Sequence, residues 1–554
     1  MKKWMVAAAA ASLAGAAVAG PADFQQCDGY GSANEHGDGM TKPAMGFLGL
    51  FMPEPGRGTT RAGDVRFSQR GIDACDRALA DPKLMPDHWM RRASLHRARA
   101  MHGLAAGDHR GALADLDKAD AQAAGKGDAY YKRSLGLGTR VLRSYALLRG
   151  GDSAEAAALA RAAVAERPYS QSLAYYAALL GWHANGDGAA YRAALRSGAD
   201  RFPELLPSLM MAEFNAGNFA AVTEIRPQIE LTMPVDMGGF RAEDPTGHEL
   251  RNMTGAAGMD AVAAFALAAT GRDADADALI GKRRATIAAL TAPPPPRPDG
   301  RPPKKEAVAR HLALSGQASE ATSLLAEAEA LIGLLKVARA GNTAATLAAM
   351  ERTKPPADQS GIAILRTIAE KDPAAKADAE AAIGQIRLAI AGRDDRPPLK
   401  LEELFAALPE AETSGRIPGY KNAKNIIGED TGNGFLVKET APGEMLINFG
   451  GHKSSAAVVE EMALLRAADM ARAAGKKGLV VRSRRFFERT IHQVGMYGGG
   501  QFNAGYSAEL AVAMVDPDAV PPHLAHSRGR VLDADRVYAD LAPFYIRTPP
   551  REAR

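Results

Sequence analysis

The stretch Gly151-Asp152-Ser153-Ala154-Glu155-Ala156, followed by Ala160, Ala163 and then Pro168, is where the fold becomes readable. A glycine turns the chain, small residues let two helices touch, and a proline ends the second helix. The same order recurs on both sides. Gly107-Asp108-His109-Arg110-Gly111-Ala112, with Leu116 and Ala119, precedes it; Gly186-Asp187, with Leu195 and Pro203, follows, and then Gly217-Asn218-Phe219. The turn glycines are 44, 35 and 31 residues apart, and Pro168 and Pro203 each fall 17 residues after one of them.

This pattern resembles the second half of a tetratricopeptide repeat (TPR), whose period is about 34 residues. The chain departs from that family on the first helix, where its Trp, Gly and Tyr positions are mostly replaced. The expected fold is mainly α: a TPR-like α-solenoid of antiparallel helix pairs, with a small C-terminal α+β domain. Composition agrees, since aromatics are only 6% and alanine, the best helix former, dominates the apolar set. The alternative is an irregular alanine-rich helical domain with chance Gly-Asp turns. If the helix pairs stack, residues of the first helices line a concave groove. Arg97, Tyr145, Tyr176 and His183 are the expected groove residues. The competing assignment for the tyrosines is packing between helices.

Outward from the repeats, residues 65–290 read as helical, with Asp260–Ala269 and Ala274–Leu279 as a further pair about Gly271. The run Pro293–Pro303 favours an extended linker, placed at 291–305. A second helical segment, 306–414, follows, with interhelical turns expected at Gly316 and Gly341. From 415 to 554 the pattern becomes α+β. Gly434–Lys438 and Glu444–Phe449 read as strands about a turn at Ala441–Gly443, and Ser454–Ala474 as an amphipathic helix buried along Val458, Met462, Leu465 and Met470. Gly478–Arg482 and Ser507–Val515 read as two more strands.

The stretch Val458–Val481, containing Leu464-Leu465-Arg466-Ala467-Ala468 and Gly478-Leu479-Val480-Val481, is similar to a domain found in small bacterial envelope lipoproteins of unestablished function. That likeness implies a fold and no activity, and the lipid-bearing cysteine is missing. Arg482, Arg484, Arg485 and Arg489 cluster on and after the third strand, beside an expected glycine-rich loop from Gly495 to Gly505 that includes Tyr497. They form a candidate anion or peptide surface; the alternative is a solvated charged strand face.

The N-terminus predicts export. Lys2 and Lys3, the apolar stretch Met5–Val18 and the small-x-small Ala17-Val18-Ala19 follow the order of a cleavable signal peptide, residues 1–19. An apolar run this short does not span a membrane, which needs about 20 residues. Cys27 follows Phe24-Gln25-Gln26 rather than a lipobox, so the expected product is periplasmic or secreted, not lipidated and without stable membrane insertion. Residues 20–64 are dense in turn formers and read as irregular, either partly disordered or draped over the helices. Cys27 and Cys75 are the only cysteines; in an oxidising compartment they predict a disulfide, against the alternative of two buried thiols.

Catalytic signatures fail on inspection. His248-Glu249 lacks a second His at position 252, which is Asn. Asp273, Asp275 and Asp277 imitate a calcium loop, but Ala278 and Arg284 stand where Gly and Glu are needed. No catalytic residue, metal or cofactor is assigned. A net charge of +4, two of which belong to Lys2 and Lys3, is no footprint for nucleic acid. The expected function is an exported module that binds a protein or peptide of the cell envelope. The alternative is an envelope hydrolase with an unrecognised C-terminal site, for which carboxylates such as Glu460 and Glu461 would be the acid or base.

Overall fold

A computed structural model of the protein describes residues 19–29, 67–230, 245–353, 357–392, 396–409, 411–412, 417–424, 431–452, 454–495 and 498–546. Side chains are described for these except 245–252, 353, 406, 488–495 and 498–504. The leader expected at 1–19, apart from Ala19, and Tyr497 lie outside the described residues.

The chain is mostly helical. After α1 (Pro21–Asp28) and α2 (Gln69–Leu79) come α3 (Trp89–Ala105), α4 (His109–Ala123), α5 (Ala129–Arg133), α6 (Leu135–Gly150), α7 (Ser153–Glu166), α8 (Gln171–Asn185), α9 (Gly188–Ala199), α10 (Leu206–Asn215) and α11 (Phe219–Ile225). The recurrent Gly-Asp pairs explain the spacing. Gly107 and Gly151 adopt φ of 83° and 96°, which a side chain disfavours. The aspartate beside each turn then caps the next helix: Asp108 accepts from the Gly111 N–H, Asp152 from Glu155, and Asp187 from Ala189 and Ala190. Each such cap contributes about 1 kcal/mol. Short turns leave consecutive helices as neighbours: α3 packs on α4, α6 on α7 and α8 on α9, and α6 also touches both α3 and α8.

The helices continue through α12 (Pro245–Ala269), α13 (Asp273–Leu290), α14 (Lys305–Arg339), α15 (Thr343–Thr353), α16 (Gln359–Lys371), α17 (Lys376–Ala391) and α18 (Leu401–Ala407). Pro293–Pro303 is non-helical, as its prolines require. One cluster of buried side chains runs from Ala178 in α8 through Phe265 in α12 and Leu325 in α14 to Ile383 in α17.

A five-stranded antiparallel sheet comes next, in the order β1-β2-β4-β3-β5. Its strands are β1 (Gly434–Ala441), β2 (Glu444–Gly451), β3 (Gly478–Gly495), β4 (Gly498–Val515) and β5 (Leu532–Asp533). α19 (Ala456–Ala473) and α20 (Ala534–Tyr545) cover one face. Phe435 pairs with Phe449 and Val437 with Ile447, so all four meet α19 on that face.

Three expectations are corrected. Residues 21–28 are helical, not irregular: Pro21 sits at the helix start, Asp23 accepts from the Gly20 N–H at 2.9 Å, and Phe24 and Cys27 are buried. Gly316 is no turn but lies inside α14, where strong helix formers outweigh the cost of one glycine, about 1 kcal/mol. The glycine-rich loop is mostly strand, since β3 and β4 run on as a long hairpin to the pair Gly495–Gly498. The last helix, α20, is not among the elements that the sequence pattern predicts.

Candidate functional site

Helices α3, α6 and α8 touch in turn and share one buried cluster, and the residues expected to line a groove stand on them. Arg97 projects from α3, Tyr145 from α6, and Tyr176 and His183 from α8. The cluster is filled out by the chain itself. Residues 396–409 and 411–412 pack on it, with α18 in the middle.

Arg97 is buried and donates through Nη1 to the Pro409 carbonyl at 2.9 Å. Its guanidinium lies over the Phe405 ring, 5.6 Å from the centroid. At the other end, His183 Nε2 donates to the Pro397 carbonyl at 2.9 Å. Between them Leu401, Leu404 and Leu408 are buried among Met101, Val141, Tyr145 and Leu180. Leucines at these positions share one helix face. Phe405 also meets Phe67 edge-on, with centroids 5.8 Å apart. Gly138 in α6 permits close approach, because a Cβ there would stand 3.3 Å from the Pro409 oxygen and 2.5 Å from Arg97 Nη1. Tyr145 is buried and Tyr176 half-buried against the same cluster. Burial, with Glu403 adding to it, pushes the Tyr176 hydroxyl up to about 12. Burial also raises that of Tyr145. Both tyrosines stay neutral and act as apolar walls with a polar edge.

Three of the four C-terminal arginines are engaged by carboxylates of the same chain. Arg482 bonds Glu230 through Nε and Nη2, at 2.8 and 3.0 Å, and also pairs with Glu444. Arg484 is buried, pairs with Glu460, and lies over Phe202 at 4.6 Å from the ring centroid. Arg485 pairs with Glu509. The Arg489 side chain, like Tyr497, is outside the described residues. Arg482, Arg484 and Arg485 therefore serve as internal fasteners, two of them to elements of the helical region.

The fastening centres on Glu461, which is fully buried in α19. Arg133 donates to it at 2.9 and 3.0 Å and Arg167 at 3.2 and 3.0 Å, and the Tyr545 hydroxyl donates as well. Arg167 also donates to Glu412 at 2.9 Å, and Ser455 donates to the same Glu412 oxygen at 2.8 Å. Burial pushes the Glu461 carboxyl up, but Arg167 and Arg133 outweigh it and hold it below its ordinary value. Glu412 ends up raised, burial exceeding the pull of Arg167. The adjacent Glu460 accepts from the Gln171 N–H at 3.2 Å, and burial pushes it up to about 7 against Arg484. These carboxylates are closed in ion pairs, which suits docking better than proton transfer to a substrate.

Sequence reasoning missed this centre. The sequence offers the two glutamates only as acid or base candidates of the alternative reading, and the arginine partners of Glu461 lie 328 and 294 residues away. Among the described residues no group of His, Cys, Asp and Glu has the arrangement of a metal site. Comparison with known proteins finds no matching family model, characterised relative or solved structure, so the site is read from its own chemistry.

Proposed function

We propose that this protein is an exported binding module of a bacterial cell envelope. In this reading it is a TPR-like α-solenoid whose inner face takes a peptide or protein segment, and the α+β domain is docked on it as a second surface. The observation that carries the reading is the way the inner face holds residues 396–412. It captures backbone carbonyls at both ends, through Arg97 and His183, and accommodates three leucines between them. A surface that grips the backbone at its ends and apolar side chains in its middle suits recognition of chain segments in general.

Export to the periplasm or beyond is supported by the leader pattern and by the Cys27–Cys75 disulfide, a bond typical of oxidising compartments. The likeness of Val458–Val481 to envelope lipoproteins supports the same address. Among the described residues no helix is long and apolar enough to cross a membrane.

Cross-linking in intact cells, followed by recovery of the tagged chain from the envelope fraction, tests the proposal. The expected result is a discrete cross-linked protein, attached to a chain whose first residue is Gly20. A chain found only in the cytoplasm with Met1 retained, or an envelope chain that yields no adduct above the untagged control, would overturn it.

A further inference from the structure

We infer that residues 396–412 are a displaceable internal ligand, and that the groove of α3, α6 and α8 binds in trans a partner segment of the same chemistry. That partner is an amphipathic helix with leucines three and four residues apart and an aromatic ring beside them, entered and left through prolines. The inference rests on the peptide-binding reading and adds the partner class and its control.

Three observations carry it. First, α18 turns one side to the groove, with Leu401 and Leu404 buried and Lys400, Glu402 and Glu403 exposed, while the described residues from Leu408 to Glu412 are buried. Second, α18 has 7 residues, too few to hold a helix alone in water, so its shape depends on the groove. Third, the bonds at its ends go to the Pro397 and Pro409 carbonyls. A backbone carbonyl is common to every chain, so at Arg97 and His183 the site selects on leucine spacing and entry angle, and Glu412 adds one side-chain contact at the far end. Any chain with that spacing competes with the segment, which holds the advantage of being tethered.

Release would also be felt elsewhere. Glu412 closes the segment and is at once bonded to Arg167 and Ser455, the latter at the start of α19. Occupancy of the groove by a partner is therefore linked to the docking of the C-terminal domain, and by reciprocity loosening that docking favours the partner.

The test uses the full mature chain and a fluorescent synthetic peptide of residues 396–412. Leu404→Ser with Leu408→Ser loosens the internal segment and is expected to raise peptide affinity at least ~10-fold over the unaltered chain. Adding Arg97→Ala to that variant is expected to abolish the gain. A folded double variant, judged by circular dichroism, that binds the peptide no better than the parent would overturn the inference.

If the double variant does not fold, hydrogen exchange of the unaltered chain decides. The amides of 401–408 should exchange faster than those of α6, and faster still with excess peptide. Equal protection, unmoved by peptide, sinks the idea. Peptide binding without any envelope partner would instead sink the function proposed above and leave this inference standing.

Discussion

Arg167 is a fully buried guanidinium with two carboxylates and a backbone carbonyl as partners. Removing one member of a buried ion network strands the others, and typical losses are 3–5 kcal/mol. Arg167→Met should lower the unfolding free energy by about that much in urea titrations. A loss below about 1 kcal/mol would place Glu412 and Glu461 in water instead. Glu460 supplies a pH effect. Its folded value is about 7 against an ordinary 4.5, the main cause being burial. It is faced by Arg484 from β3, the Gln171 N–H from α8, Arg167 from the α7–α8 connection and Glu461 from its own helix. The folded state holds the proton more tightly than the unfolded chain, so this group's contribution falls as pH rises between those values. The full effect is about 3 kcal/mol, present below pH 4.5 and lost above 7. In Glu460→Gln the slope of stability between pH 5 and 7 should flatten; an unchanged slope would clear Glu460 of it.

At the scale of elements, the helix pairs were legible because glycine and aspartate do local work: one reverses the chain, the other caps the next helix. The strands about Gly443 and the helix α19 were legible through period and turn chemistry for the same reason. The elements that stayed hidden depend on partners distant in sequence. α1 has 8 residues and little intrinsic stability; it persists because Phe24 and Cys27 pack on α2 and α3 and because Cys27 is bonded to Cys75, 48 residues on. In the chain-entropy model that cross-link contributes about 4 kcal/mol. Cys27→Ser with Cys75→Ser should cost a comparable amount in urea, and reductant should move the parent's midpoint but not the variant's. The long β3–β4 hairpin was hidden by glycines of low strand propensity, whose pairing is supplied by the opposite strand.

At the scale of the molecule, the helices that carry the expected groove residues were legible, and the segment that packs on them was not. Arg97 and His183 could be placed on first helices by spacing, but nothing local says that Pro397 and Pro409 lie on them. The docking centre was illegible for the same reason, since ionic contacts leave no periodicity. Its extent predicts cooperativity. The helical region and the α+β domain share Glu461, Glu412, Glu460 and the Tyr169–Asp540 bond of 2.8 Å. Calorimetry should show a single unfolding endotherm for the parent chain and two resolved ones for Arg133→Met with Arg167→Met. Two endotherms in the parent would mean that the contacts across this boundary are weak.

The separation of Arg133 and Arg167 from Glu461, 328 and 294 residues, also has a meaning in time. Ribosomes add about 5–20 residues per second, so the two arginines emerge roughly 15 to 60 seconds before the glutamate that receives them. Over that interval the nascent helical half stands with its inner face bare and its cations in water. The finishing pieces, Leu401–Leu408 and then α19, arrive only with the last third of synthesis. A ribosome that stalls before them releases a chain that is already largely helical, with an apolar strip uncovered for any quality-control factor to recognise.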